Sequence, residues 1–535
     1  MSNLSRSSAK TARLSFEALE PRTVLSATSP FDLTAELISS YESPPTETEF
    51  MANGISSAAN DSLIKKQYGL DVTQTDQAWD LTIGSTEVTV AVIDTGVDYL
   101  HPDLYLNIWI NQQEIPPAIR LLLTDIDGDE LVTFWDLNDP INIGPTTITD
   151  LNGTGYIDGG DLLFPIDIGG WADGSDNGQN GFVDDLLGWD FGDNDNDPRS
   201  LDPHGTWVAG VIGAVGNNDL GVAGVNWQVQ IMPVKIAVGA NRIVSGEAAI
   251  EGIYYAVDNG AQISNNSYGG LASNFPSEIV AAGREAVDYA AVHDHLLVAS
   301  AGNDALDDDI ALHIPSGYDA PNVISVAATD RLDRLAKFSN FGAISVDLGA
   351  PGVGIWTTSL DGRYAKLDGT SLASPHVAGA AALVLSLNPD LSATEIKSLI
   401  LDNGDPLPDL DGITVTGGRL NVFKAVSAAA ESAVATTASF ASIPVLDDSP
   451  LVHSFAGSNR VQIVRLAPEL DWSSVNTAND LLLMQTSEAA TIALDRALEQ
   501  QDSFHRLLVP DSAAELAAID VWATLAEDQS IGRLL

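Results

Sequence analysis

Three residues, each set at the end of an apolar run, could together carry out acyl transfer. Asp94 closes the run in AVIDTGVD, His204 opens the helical pattern HGTWVAGVIG, and Ser371 follows Gly369 and Thr370 at the head of GTSLASPHVAGAAALVL. A serine hydroxyl is a weak nucleophile until an adjacent imidazole takes its proton. The imidazole needs a carboxylate to fix its tautomer and to stabilise the imidazolium. Asn303, leaving a run in VASAGND, could donate its amide to a developing oxyanion, and a helix start at Ser371 adds backbone N–H donors.

Singly, each residue has a plainer explanation. An Asp after a strand is usually a turn residue, and a Ser at a helix start is usually an N-cap. His376, inside the helix that Ser371 opens, is read as a packing residue. In the order Asp, His, Ser the set is far more specific, and that order differs from those of chymotrypsin-like enzymes and α/β-hydrolases.

These groups need a frame. Apolar, β-rich runs at 88–93, 231–236, 262–265, 296–300 and 323–327 alternate with helical patterns such as 246–259 and 277–293. Alternation of this kind predicts an α/β domain, a mostly parallel sheet between helices. Residues at the carboxyl ends of such strands meet in one crevice.

The 535 residues carry 24 Lys and Arg against 74 Asp and Glu, a net charge of −50. That balance argues against nucleic acid and against anionic membranes as partners. With no cysteine, disulfides and thiolate metal sites are excluded. The longest apolar stretch considered as a span, 377–387, is too short, so no transmembrane helix is expected.

Residues 61–426 resemble the peptidase domain of the subtilisin-like (subtilase) family. The resemblance rests on the three segments above and on DQAWDLTIGSTEVTVAVIDTGVDYLHPDL, IMPVKI, NNSYGG and GRLNVFKAV. It implies a subtilisin-like three-layer fold and endopeptidase action on flexible polypeptide. It implies that Ser267, Tyr268 and Gly269 lie along the substrate as an edge strand. The pocket beyond would include 299–302, with Ala301 and Gly302, and small residues there would leave room for a sizeable apolar side chain. Two positions depart from the family pattern. Trp207 replaces the second His of HGTHVAG, where a change of packing is expected, and Leu372 replaces the Met after the nucleophile, removing a site of sulfoxide formation. The family's compact inhibitory propeptide has only 28–60 to occupy, which is too short for it.

Residues 95–203 separate Asp94 from His204, more than the family usually places there. Within this insertion, 105–200, the block 125–197 holds 18 Asp or Glu and no Lys or Arg. Like charges at that density resist compaction unless cations neutralise them. DLNGTGYIDGGD offers Asp150, Asn152, Thr154, the Tyr156 carbonyl, Asp158 and Asp161 at the ligand positions of a twelve-residue calcium loop, with Gly155 sixth. Asp at the last position resembles the dockerin type. DIDGDELVTFWD offers Asp125, Asp127, Asp129, Thr133 and Asp136, but Glu130 is sixth, so a different turn is expected. DNGQNGFVDD offers Asp176, Asn180 and Asp184, with Gly178 where a ligand should be. The plainer explanation is a solvated acidic loop held by Asx turns.

Residues 1–27 are basic and Ser-rich, and LSFEALEPRTVLSA resembles an LEPR-type motif of exported surface proteins. This predicts a secreted or cell-surface protein. A monomer is expected. A linker or short propeptide is expected at 28–60, a linker at 427–455 and a helical module at 456–535. Two alternatives to an endopeptidase are a calcium-dependent pseudoprotease serving as a surface scaffold or adhesin, and a carbohydrate hydrolase using paired carboxylates.

Overall fold

The computed structural model describes residues 24–25, 59–239, 243–441, 452–457 and 460–465. Contacts divide the chain into two units, 1–433 and 434–535.

In the first unit the principal elements are β1 (Gly84–Asp94), α1 (His204–Gly213), β2 (Gln228–Lys235), α2 (Gly246–Asp258), β3 (Ile263–Asn266), α3 (Ser277–Val292), β4 (Leu296–Ser300), β5 (Val323–Thr329) and β6 (Leu348–Pro351). They continue with β7 (Val353–Ser359), β8 (Arg363–Asp368), α4 (Thr370–Leu387), α5 (Ala393–Asp402) and α6 (Val422–Ala441), which begins in this unit and runs past residue 433. A nine-stranded sheet runs in the order Asp405–Pro406, Gly418–Arg419, β6, β5, β4, β3, β1, β2, Trp189–Asp190. All pairs are parallel except the first. This is the predicted α/β architecture.

β1 forms where β-branched residues are dense, and burial on both faces explains why it reads as a continuous apolar run. Val90 and Val92 point to one face, where they share a core with Val208, Ile212, Ala380 and Val384 of α1 and α4. Ala91 and Ile93 point to the other, packed with Ile253 of α2 and Val287 of α3. α4 is apolar all round and buried along nearly its whole length, as a central helix must be. It is also the helix, among the described residues, that is long and apolar enough to cross a membrane, yet 89% of that window is buried inside the domain.

Two expectations are corrected. The stretch taken as a linker from 427 is helical to Ala441, continuing α6, because its alanines favour helix over coil. In the second unit, Val452–Gly457 and Arg460–Arg465 pair as an antiparallel hairpin, whereas helix was expected from 456. Val461 and Ile463 alternate with polar residues at the period of a strand, which overrides the helical reading. Most of 456–535, and nearly all of 1–60, lie outside the described residues. Val24–Leu25 is the described part of the leader, and it pairs antiparallel with Val244 and Ser245.

Candidate active site

Asp94 is the last residue of β1, and its carbonyl accepts the Ile236 N–H at 2.8 Å as β2 ends beside it. His204 begins α1 on the same side. Its Nδ1 lies 2.7 Å from Asp94 Oδ1, which also accepts the Thr95 N–H at 2.6 Å. A carboxylate only accepts, so Nδ1 carries the hydrogen and Nε2 is left as the basic nitrogen. The second Asp94 oxygen is buried without a partner. Burial opposes charging the imidazole, but the Asp94 charge, its hydrogen bond and Asp202 act the other way, and the net pKa lies above the usual 6.5.

The approach of α1 to β1 depends on Gly205. A side chain there would place its Cβ 2.3 Å from the Gly96 carbonyl oxygen. The β7–β8 hairpin holds the helix from the far side, with the Thr357 and Thr358 hydroxyls donating to the carbonyls of Trp207 and Thr206 at 2.6 and 2.7 Å.

Ser371 lies in the first turn of α4, which packs against α1. Its hydroxyl donates to the Ser267 carbonyl at 3.2 Å. Ser267 Oγ in turn donates to the Ser371 carbonyl at 2.9 Å. Asn303 turns its side-chain oxygen to Thr370, accepting the N–H at 2.9 Å and the hydroxyl at 3.0 Å. With the oxygen committed, the amide NH2 is the end that remains for another partner. The structure thus brings Asp94 and His204 into direct contact and gathers Ser371, Asn303 and Ser267 around the head of α4.

The two departures from the family pattern meet in one cluster. Trp207 and Leu372 are both buried, among Val211, Ile355 and Leu367. Trp207 Nε1 donates to Ser359 Oγ at 3.2 Å, and its ring lies 5.8 Å from that of His204. His376 is buried, with Nδ1 2.7 Å from the Leu372 carbonyl, and burial pushes its pKa down to about 4. It packs, as expected.

The segment expected along the substrate is Ser267–Tyr268–Gly269, between β3 and the short strand Gly270–Leu271. Tyr268 presents backbone only: its ring is buried in the α2–α3 core and its hydroxyl donates to Asn266. At the expected pocket, Ala299 and Ala301 pack into separate cores, and Asn340 and His313 lie against Gly302.

The acidic insertion folds around its own carboxylates. Asp150 accepts N–H groups from Gly153, Thr154 and Gly155, and Asp161 accepts those of Leu151 and Asn152. The Asn152 amide and the Thr154 hydroxyl donate to Asp158, and the Thr154 hydroxyl also reaches the Tyr156 carbonyl. These bonds link Asn152, Thr154, the Tyr156 carbonyl and Asp158, while Asp150 and Asp161 bind backbone N–H groups of the same loop, and burial with the Asp161 charge raises Asp158 to about 7. Asp125, Asp127 and Asp136 of the second loop have carboxylate oxygens within 4.8 Å of one another. Asp129 instead accepts the Thr86 hydroxyl. Glu130 corrects the expectation of a different turn: with φ of +68° it adopts the left-handed conformation that Gly155 has at +96°. In the third loop Asp176 accepts N–H groups from Asn180 and Gly181, and Asp184 those of Asp173 and Gly174. Glu114, from outside, takes the N–H groups of Gly178 and Asp184. One counter-charge also comes from outside the block, since Lys235 pairs with Asp190 and Asp193.

A further pair of carboxylates escaped the sequence reading. Asp61 and Asp103 are both buried, and one Asp61 oxygen has no partner. Burial first, and each other's charge second for Asp103, push them up to about 6 and about 8. Asn218 donates to Asp103 at 2.7 Å. Two buried acids with an orphaned oxygen fit a hard cation. Their separation along the chain gave no motif to find.

The family model described as the subtilase family matches residues 85–422. A thermophilic serine proteinase of Bacillus sp. (strain AK1) is 34% identical over 361 residues, covering 68% of this chain and 67% of its own. Thermitase of Thermoactinomyces vulgaris is 38% identical, over 45% of this chain and 80% of its own. A solved protease of Pseudoalteromonas arctica aligns with a TM-score of 0.47 at 25% identity, covering 69% of this chain and 99% of its own. The chain belongs to the subtilase family and is a subtilisin-like serine endopeptidase.

Proposed function

We propose that this enzyme cleaves exported or surface-exposed polypeptides through an acyl-enzyme on Ser371, and that calcium stabilises its fold. His204 Nε2 takes the Ser371 proton as Oγ attacks the scissile carbonyl carbon, after the hydroxyl swings away from the Ser267 carbonyl. Asp94 holds the imidazole by Nδ1 and stabilises its positive charge. The Asn303 amide and the backbone N–H groups at the head of α4 donate to the oxyanion. His204 then protonates the leaving amine, and water repeats the cycle to release the acid and restore Ser371. The observation that carries this reading is the 2.7 Å contact of His204 Nδ1 with Asp94, beside an Asn303 whose oxygen is anchored on Thr370.

Asp61 and Asp103, with the loop ligands Asp150, Asn152, Thr154, Tyr156, Asp158 and Asp161, would hold calcium. Asp125, Asp127 and Asp136 would form another site. The ion would supply charge neutralisation to the fold. The leader 1–27 is proposed to direct the protein to the cell surface or medium, where it acts as a monomer. Hydrolysis of fluorescent casein, with and without calcium, beside Ser371→Ala, tests the reading. Cleavage abolished by the substitution supports it; cleavage that persists in the mutant sinks the assigned nucleophile.

A further inference from the structure

In peptide hydrolysis the side chain before the scissile bond hangs from the carbon next to the attacked carbonyl. With that carbonyl about 3 Å from the Ser371 hydroxyl, the side chain must enter the space immediately beside the nucleophile. Two chain segments flank that space. Ser267 provides the carbonyl that accepts from Ser371, and the chain continues from it to Gly269. Gly302 sends its N–H to the Thr370 hydroxyl at 3.3 Å, directly before Asn303.

His313 lies between these segments. A Cβ built on Gly269 would sit 2.3 Å from His313 Cε1, and one built on Gly302 would sit 3.0 Å from His313 Nε2. The imidazole therefore spans from one wall to the other, at the two positions where the walls have no side chain. It is not free to swing away. Its backbone pairs with Leu271 in the strand that continues from Gly269, and its Nδ1 lies 3.0 Å from Ser316 Oγ. The Gly317 N–H also holds its carbonyl at 2.8 Å. The residue is only 4% exposed, and burial keeps the ring neutral by lowering its pKa to about 4. Asn340 closes the other side of Gly302, with Nδ2 2.5 Å from the same built Cβ.

We propose that His313 forms the floor of the pocket for the residue before the scissile bond and restricts cleavage to bonds that follow small uncharged side chains, glycine, alanine or serine. This rests on Ser371 being the nucleophile. An aromatic or long aliphatic side chain would have to displace a ring packed against both walls. Pocket volume of this kind discriminates by roughly 10–200-fold for each excess methylene group.

The test is kcat/KM for the full chain on succinyl-Ala-Ala-Pro-X p-nitroanilides with X as Ala, Leu or Phe, together with mass-spectrometric mapping of the bonds cut in casein. The wild type is expected to favour Ala over Phe by at least ~10-fold. His313→Gly is expected to raise the Phe-to-Ala ratio of kcat/KM by at least ~10-fold. His313→Phe keeps the floor filled and is expected to keep the Ala preference, which covers the case of a glycine variant that fails to fold. Wild type cutting after Phe as readily as after Ala overturns the proposal. So does a His313→Gly enzyme that melts like wild type and cuts the same bonds. Hydrolysis surviving in Ser371→Ala would instead overturn the nucleophile assignment, which the X series reads separately.

Discussion

The side-chain oxygen of Asn303 is tied to Thr370 by two hydrogen bonds, from the N–H at 2.9 Å and from the hydroxyl at 3.0 Å. Thr370 immediately precedes the nucleophile, so the amide that would stabilise the oxyanion is locked to the same turn that carries Ser371. Preorganisation of this kind lets a donor act without moving during the reaction. Replacing Asn303 by Ala should lower kcat by about 10²–10³ with KM little changed, a figure taken from the asparagine donor of subtilisin. Thr370→Val removes the hydroxyl and keeps the N–H, so its loss should be smaller than that of Asn303→Ala. Equal losses in the two variants would contradict this division of roles.

The acid limb of activity should report His204. Only its neutral form can accept the Ser371 proton. Burial works against the charged ring, but Asp94, its hydrogen bond and Asp202 outweigh it and raise the pKa above 6.5. A raised pKa keeps the base protonated to higher pH, so kcat/KM should fall with a midpoint above pH 6.5 as the solution is acidified. Asp202→Asn removes one of the charges and should move that midpoint down while preserving most of the activity. An acid limb below 6.5 in the wild type, or one unmoved in Asp202→Asn, would show the balance of these effects to be otherwise.

Trp207 ties the helix bearing His204 to the helix bearing Ser371 through the cluster it shares with Leu372. Trp207→Ala should therefore destabilise the fold by about 3–5 kcal/mol, the cost of a cavity this size. Urea unfolding in a Ser371→Ala background avoids self-digestion, and the midpoint should fall with the slope unchanged. Trp207→His restores the family's usual residue but not the bulk that fills this cluster. It should lose stability as well while keeping measurable activity. A variant as stable as wild type would show that the cluster repacks around the gap.

Much of this site could be read before the fold was known. The catalytic segments are short and local, and each marks the end of a buried element, so type and spacing sufficed. The hydrogen-bonded loop at 150–161 is likewise local, since its polar residues lie within twelve positions of one another. What could not be read depends on pairing between distant segments. His313 reaches the substrate pocket because its strand pairs with Gly270–Leu271, and a histidine in ALHIPSG carries no sign of that. Asp61, Asp103 and Asn218 meet only after folding. Glu130 shows another limit: loop hydrogen bonds, two of them to Asp125, hold a non-glycine residue in a conformation that its type disfavours. Local propensity misled at 460–465, where two-residue alternation outweighed the surrounding helical composition.

Calcium removal should test whether buried acids are metal ligands or merely protonated. Asp61 and Asp103 are both buried, with one oxygen unpartnered, and the described residues place no Lys or Arg in a salt bridge with either. If a cation holds them, EGTA should lower the melting temperature of the Ser371→Ala protein, and calcium at 100 times its Kd should restore about 2.7 kcal/mol per site. Asp103→Asn should shrink that calcium-dependent gain, and a combined Asp150→Asn and Asp158→Asn variant should remove a separate share. Isothermal titration would show the stoichiometry falling in each. Removing the pair and the loop ligands together should leave only the contribution of Asp125, Asp127 and Asp136. A melting temperature indifferent to EGTA would instead mean that these carboxyls are held by protons and hydrogen bonds alone, and the acidic insertion would be a loop ordered by its own Asx turns.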